Sequence, residues 1–527
     1  MDSLKIITNA FVITCDPYNR GGLYNLLIRN DRIEQVSDSA GILTALFPDA
    51  TVIDASNKLI IPGFVNAHFH SESVLLRPHT ENLHFSLWNT NPAIQKCIAH
   101  LLDPLNKDDV RNVYQMSYFQ HLKSGTTCVG EYGLPFPESG FNQMMHSIER
   151  TEVKCAVALQ DWDQISKAGG LAGGRHRSFV NVGTEDEFTV YRFESLLRAS
   201  KEWGVPLVAH VAEQRSSAET IRKTFQKGIL AVLQDFGVVR PDTLFIHLNH
   251  MSGQEVEVLA EAGATVVVCA RSAAFKRTGY PLLRHLARER VRLAVGTDWG
   301  TVDMLEELKF LFRLPLLVSG IPPLSPLQLV RMGTINGAHA LGFSQETGSI
   351  EVGKKADLTF YALQDLRVPS VPEDSNSEAL SLLLLDHLTN RDISDVMING
   401  EFYIAQGEVM TMSEEELVEA YQKTASKFSN AGGKTPSPAL PQESRMPSPG
   451  STPRILPFTS GGRASEHRAE GFELGFRAGE SPASTIGHPV DGTDRQVSAA
   501  TTVSQTAGRT GKEQAKGVWR TFGEEDF

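Results

Sequence analysis

His68 and His70 stand two residues apart at the end of a short apolar run, Phe64-Val65-Asn66-Ala67. Strand side chains alternate between faces, so residues two apart point the same way. Two imidazoles on one face can grip one metal ion. A bare pair of this kind is common and usually binds nothing; its weight here comes from the partners a metal would need, which occur later in the chain in the right order. His210, His247 and Asp298 each fall at the end of a strand-like run, at residues 206–211, 242–247 and 291–298. A lone histidine at a strand end more often serves a local hydrogen bond. Five groups able to ligate a metal or move a proton, arriving in register with strand ends, point to one shared site.

The elements that must carry these groups are legible in outline. Residues 4–15, 24–36 and 51–61 read as strands joined by turns, with Asn30-Asp31 and Ala55-Ser56-Asn57 at two of the turns. No helix intervenes, which suggests a small β-sandwich. From Pro62-Gly63 onward, apolar runs of strand length alternate with helical patterns: 126–131, 154–159, 177–183, 206–211, 242–247, 265–269 and 291–298. Such β-then-α units over roughly 250 to 300 residues predict a (β/α)8 TIM-type barrel, whose active site lies at the C-terminal strand ends. A doubly wound sheet is the alternative, but the glycine-rich phosphate fingerprint is missing.

Composition sets limits on function. The chain has 527 residues, 41% hydrophobic and 21% charged, with a net charge of −12. That is the profile of a globular enzyme with ample core. No basic block stands ready to neutralise phosphates, so nucleic acid is not an expected partner. The five cysteines are widely spaced without a CxxC pair, which fits a reduced, cytoplasmic setting. No signal-peptide pattern is seen at the N-terminus. No apolar run reaches the ~18 to 20 residues of a membrane span.

Taken together, several motifs resemble the amidohydrolase superfamily, and within it the aminohydrolase branch of S-adenosylhomocysteine and methylthioadenosine deaminases, guanine deaminase, cytosine deaminase and triazine hydrolases. The motifs are Pro62-Gly63-Phe64-Val65-Asn66-Ala67-His68-Phe69-His70, His210-Val211-Ala212-Glu213, Phe245-Ile246-His247-Leu248-Asn249-His250 and Gly296-Thr297-Asp298. Thr334-Ile335-Asn336-Gly337-Ala338-His339-Ala340-Leu341-Gly342 and Gly348-Ser349-Ile350-Glu351-Val352-Gly353-Lys354-Lys355-Ala356-Asp357-Leu358 complete the set. The resemblance spans about residues 4–428. It implies an α/β chain with half of a β-sandwich at 1–61, the barrel at 62–355 and the second sandwich half with a closing helix at 356–428; a shift in composition sets off a tail at 429–527. The tail is rich in Ser, Pro and Gly and is expected to be disordered.

The same resemblance implies roles. His68, His70, His210 and Asp298 would be metal ligands. Three imidazoles and a carboxylate suit one divalent ion, zinc with iron as the alternative, and leave a position for water. Glu213 would shuttle protons, His247 would orient or polarise the water, and Asp298 would also take its proton. His250 would be supporting. Binuclear relatives bridge two metals with a carbamoylated lysine on the fourth strand; residues 177–183 contain none, and Lys154 lies one strand earlier, so one metal is expected.

Substrate-side segments depart from the family. Asn181-Val182-Gly183-Thr184 has no histidine where relatives acting on adenosine-type substrates carry one. Trp88 matches a substrate-packing tryptophan but is followed by Asn89. Trp299-Gly300-Thr301-Val302-Asp303 and Cys269-Ala270-Arg271-Ser272 are also unusual, and the glycine-rich 168–174 alters a lid or pocket wall. Trp88 and Trp299 are the expected substrate contacts, with Arg77 and Arg271 as further candidates. The implied reaction is hydrolytic deamination of a purine-, pterin-, pyrimidine- or triazine-like small molecule, with water as co-substrate. Hydrolysis of another C–N or a C–Cl bond in a cyclic substrate is the alternative within enzymes; a non-catalytic binding protein is the alternative outside them. Relatives of this kind are often homo-oligomers.

Overall fold

The computed structural model describes residues 3–80, 83–161, 163–164, 174–184, 190–280, 283–318, 323–364, 366 and 368–428. The tail from residue 429 and most of the glycine-rich stretch at 168–174 lie outside the described residues.

Strands from both ends of this region build one mixed sheet. The first five are β1 (Leu4–Ile13), β2 (Gly21–Arg29), β3 (Arg32–Ser37), β4 (Thr51–Asp54) and β5 (Lys58–Pro62), and contrary to expectation a short helix, Ala40–Leu46, intervenes between β3 and β4 and buries Leu43. Far along the chain, β14 (Leu358–Ala362), β15 (Ile393–Ile398), β16 (Glu401–Ala405) and β17 (Glu408–Val409) join them. The order is β17-β16-β15-β14-β5-β1-β2-β3, with β4 beside β1. The join is the antiparallel pairing of β14 with β5, Leu358 opposite Pro62 and Ala362 opposite Lys58. Alternate residues Ile7, Val12, Leu26, Ile28, Ile60, Leu358 and Phe360 share one apolar cluster. The return of the chain after residue 356 therefore completes the layer begun by the N-terminal strands.

Between these halves lie eight parallel strands in sequence order: β6 (Phe64–Phe69), β7 (Thr126–Glu131), β8 (Lys154–Leu159), β9 (His176–Gly183), β10 (Leu207–Val211), β11 (Leu244–His247), β12 (Thr265–Val268) and β13 (Arg292–Val295). Their apolar runs are nearly unbroken because both faces are covered. Val65, Ala67, Cys128, Ala156, Val208, Ile246, Val267 and Ala294 fill the inside, while Phe64, Val129, Phe245, Val266, Val268 and Leu293 pack outward. Helices such as Lys107–Lys123, Glu138–Glu149, Val190–Trp203 and Gly253–Ala262 alternate with these strands along the chain.

The barrel closes where β6 meets β13, and it does so with few backbone bonds. Asp298 N–H donates to His68 O at 2.9 Å, and Phe69 and Asp298 form an isolated parallel bridge. The Asn66 side chain supplies the rest: its amide donates to Thr297 Oγ1 at 2.8 Å and its carbonyl accepts from Thr297 N–H at 3.0 Å. Gly296 permits the approach, since a Cβ there would lie 2.7 Å from the His68 backbone nitrogen. At the opposite end of the strands, buried Lys154 ties the barrel to the sheet through Asp357 Oδ2 at 2.6 Å and Asn399 Oδ1 at 3.2 Å. All five cysteines are buried free thiols. No helix of the described residues is long and apolar enough to cross a membrane.

Candidate active site

The expected site residues converge at the C-terminal mouth of the barrel. His68 lies on β6 and His70 directly follows it; His210 is on β10, His247 ends β11, and Asp298 stands three residues past β13. His68 Nε2 is 3.3 Å from Asp298 Oδ1 and 3.3 Å from His210 Nε2, and His70 Nε2 is 3.5 Å from the same Asp298 oxygen. His247 Nε2 is 3.5 Å from Glu213 Oε2 and 3.9 Å from Asp298 Oδ2. The ligating atoms fall into overlapping triplets: His68–His210–His247, His68–His70–Asp298 and Glu213–His247–Asp298.

The backbone takes unusual conformations here. Ala212, His247, Leu248 and Asp298 all adopt positive φ, between 50° and 76°. None is glycine, and such conformations persist only where the surroundings over-determine them. Each lies just where a strand ends and a side chain must turn over the barrel axis.

The charge states suit a cation. Burial holds His68 down at about 3, against the opposing pull of Asp298. Removal from water also lowers His210 and His247, so these imidazoles are neutral with lone pairs available. Burial works on His70 too, but Glu72 and then Asp298 outweigh it and raise the ring's pKa. Asp298 is pushed well down: burial opposes ionisation, and the Lys276 ammonium and neighbouring imidazoles overcome it. Asp298 Oδ1 and His247 Nε2 are buried without any hydrogen-bond partner. Unpaired buried polar atoms are costly, and both belong to residues of the ligand triplets. The donor set therefore fits a divalent ion held among the residues of these triplets.

Three neighbours, Lys276, Glu72 and Tyr132, escaped the sequence reading, and Ser272 entered it only within the unusual Cys269–Ser272 segment. Lys276 Nζ donates to Glu213 Oε1 at 2.9 Å and Asp298 Oδ2 at 2.6 Å. Ser272 Oγ donates to Asp298 Oδ2 at 2.6 Å. Glu72 Oε1 lies 3.4 Å from His70 Nδ1, with Tyr114 O–H donating to its other oxygen at 3.4 Å. Tyr132, just past β7, packs edge-on against His68 at 4.5 Å and His210 at 4.8 Å. Only Tyr132 carried a usable signal, its place right after a strand end.

Trp299 lies over His70 at 5.2 Å, and Trp88 meets Trp299 edge-on at 4.9 Å. Phe85 and Phe275 extend this aromatic wall. Trp88 is buried, its indole N–H donating to Leu83 O at 3.2 Å. Arg77 is exposed on the helix Ser73–Thr80, and Arg271 donates to Thr301 Oγ1 at 3.1 Å. His250 makes a 2.6 Å bond to Thr278 O, in keeping with a supporting role. Lys154, engaged with Asp357 at the far end of the barrel, stands away from the cluster.

Comparison with known proteins bears on the family and the fold. A family model described as "Amidohydrolase family" matches residues 59–403. A 5-methylthioadenosine/S-adenosylhomocysteine deaminase from Moorella thermoacetica is 26% identical over 406 residues, covering 74% of this chain and 92% of the relative. Among solved structures, a zinc-bound adenosine deaminase from Xanthomonas campestris superimposes with a TM-score of 0.72 at 21% identity, covering 81% of this chain and 98% of that one. A zinc-bound atrazine chlorohydrolase from Arthrobacter aurescens TC1 gives 0.69 at 18% identity, over 80% and 100%.

Proposed function

The chain belongs to the amidohydrolase family, and from that premise we propose that it is a mononuclear, metal-dependent aminohydrolase that releases ammonia from a nitrogen heterocycle. The observation that carries this reading is the convergence of His68, His70, His210 and Asp298 with Glu213 and His247 at one barrel mouth. A deaminase relative covered over 92% of its length supports the reaction class.

His68, His70, His210 and Asp298 would hold one divalent ion, zinc before iron. Bound there, the ion would bring the pKa of a water down towards ~7, so that a nucleophile exists at neutral pH. The chain's own groups do the rest. His247 Nε2 orients the attacking water, and Asp298 takes its proton. Glu213, with one oxygen turned to His247, carries a proton to the ring nitrogen or the departing amine. The aromatic wall of Trp88 and Trp299 gives a flat ring a surface to lie against.

Elemental analysis of the wild-type protein and His210→Ala, purified without chelator, tests the site. About one zinc or iron per chain in the wild type, absent from the variant, is the expected result; a wild type that holds no metal and cannot be reloaded sinks the proposal. Glu213→Gln should keep its metal and lose turnover by roughly 10²–10⁴-fold. Ammonia and chloride release, read side by side on aminopurines, pterins, aminopyrimidines and chlorinated triazines, separates deamination from dehalogenation.

A further inference from the structure

The barrel mouth contains a cation that the proposed chemistry does not use. Lys276 ends the short helix Ala270–Lys276 after β12 and is 2% exposed. Burying an ammonium is costly unless its charge is paired and its N–H groups find partners. Here Glu213 Oε1 and Asp298 Oδ2 take two of them. The ammonium also lies 4.7 Å from the ring centre of Phe85 and 5.7 Å from that of Trp88, whose faces attract a cation. The consequence is a division between oxygens. Glu213 Oε1 is taken by the lysine, and Asp298 Oδ2 is shared between the lysine and Ser272 Oγ. Glu213 Oε2 is left facing His247 at 3.5 Å, and Asp298 Oδ1 is left facing His68 and His70 at 3.3 and 3.5 Å.

We propose that Lys276 is a positioning residue: by bridging Glu213 to Asp298 it fixes which oxygen of each carboxylate faces the reacting groups, and it gives up metal affinity to do so. The first half rests on the proposed role of Glu213 as proton carrier; the second does not. Without the bridge Glu213 gains rotamers, so turnover falls while substrate binding is little changed. Without the ammonium, Asp298 no longer shares its charge, so a metal ion is held more tightly.

The test uses the full chain and the variants K276M, K276R and K276A. Zinc affinity is read by competition with a chromogenic chelator, and K276M is expected to bind about tenfold more tightly than wild type, with K276R near wild type. Turnover is read as ammonia release from the best wild-type substrate among 5′-methylthioadenosine, guanine and aminotriazines. K276M should lose about 100-fold in kcat with KM within about threefold. Propylammonium should restore part of the kcat of K276A, and 1-propanol, equal in size but uncharged, should not. Wild-type kcat in K276M, equal rescue by the alcohol, or zinc held no more tightly would each overturn the proposal. A fall in melting temperature that takes zinc and turnover down together would also overturn it, assigning the lysine to packing. A wild type that deaminates nothing would count against the aminohydrolase reading alone, and the zinc arm would still decide the bridge.

Discussion

His70 turns one ring nitrogen towards Asp298 and the other towards Glu72, a buried carboxylate two residues further on. A carboxylate behind a ligating imidazole sets its tautomer and raises its basicity. Glu72→Gln is therefore expected to weaken zinc binding by roughly 10–100-fold in a chelator competition, with the fold intact by circular dichroism. At this scale the sequence was informative where spacing carries meaning: the pair His68/His70, and Glu213 three residues after His210. It was silent where burial carries it. Nothing in Phe275-Lys276-Arg277 announces that Lys276 is buried in the site. Glu72 gave no signal, because nothing in one chain shows that Tyr114 will arrive from a helix 42 residues away.

Strand existence was legible because parallel strands covered on both faces must be apolar throughout; the run of three valines in β12 is an example. Strand-end conformation was not legible. Ala212, His247 and Asp298 adopt left-handed backbone with no glycine or asparagine to announce it. The helix Met304–Leu317 shows a similar hidden dependence. Its buried Glu307 accepts the backbone N–H of Arg271 at 3.0 Å and so anchors the start of the helix that carries Ser272 and Lys276. Burial pushes Glu307 up to about 7, the Arg271 contacts offsetting part of the shift. Between the ordinary value of 4.5 and about 7 the folded chain binds more proton here than the unfolded chain. The group's contribution to stability is thus intact below that window and is lost as pH rises through it, by about 3 kcal/mol. Glu307→Gln should flatten this part of the pH–stability curve, as measured by denaturant unfolding at pH 5 and pH 8. An unchanged slope would mean that Glu307 is already ionised in the folded chain at pH 5.

Across the whole molecule, the segment leading from Gly348 into Leu358 signalled the return of the chain to the N-terminal strands, and β14 pairs with β5 as that implies. What no local pattern revealed is how barrel and sheet are fastened. Lys154, on a strand otherwise apolar, spends its charge on Asp357, which also accepts the Asn399 N–H at 2.9 Å. Asp357→Ala leaves an ammonium buried and unpaired, which should cost about 3–5 kcal/mol. Since the cluster of imidazoles lies at the other end of the strands, metal content per chain should stay at the wild-type value while the melting temperature falls.

The seam between β6 and β13 carries a consequence for how this molecule ages and fails. His68 and Asp298 sit on opposite lips of that seam, and both are proposed ligands of one ion. An ion held between them is a rivet through the first and last staves of the barrel. Stripping it would slacken the hoop as well as silence the chemistry, and so a protein that has lost its metal is also one that has begun to come unbuttoned.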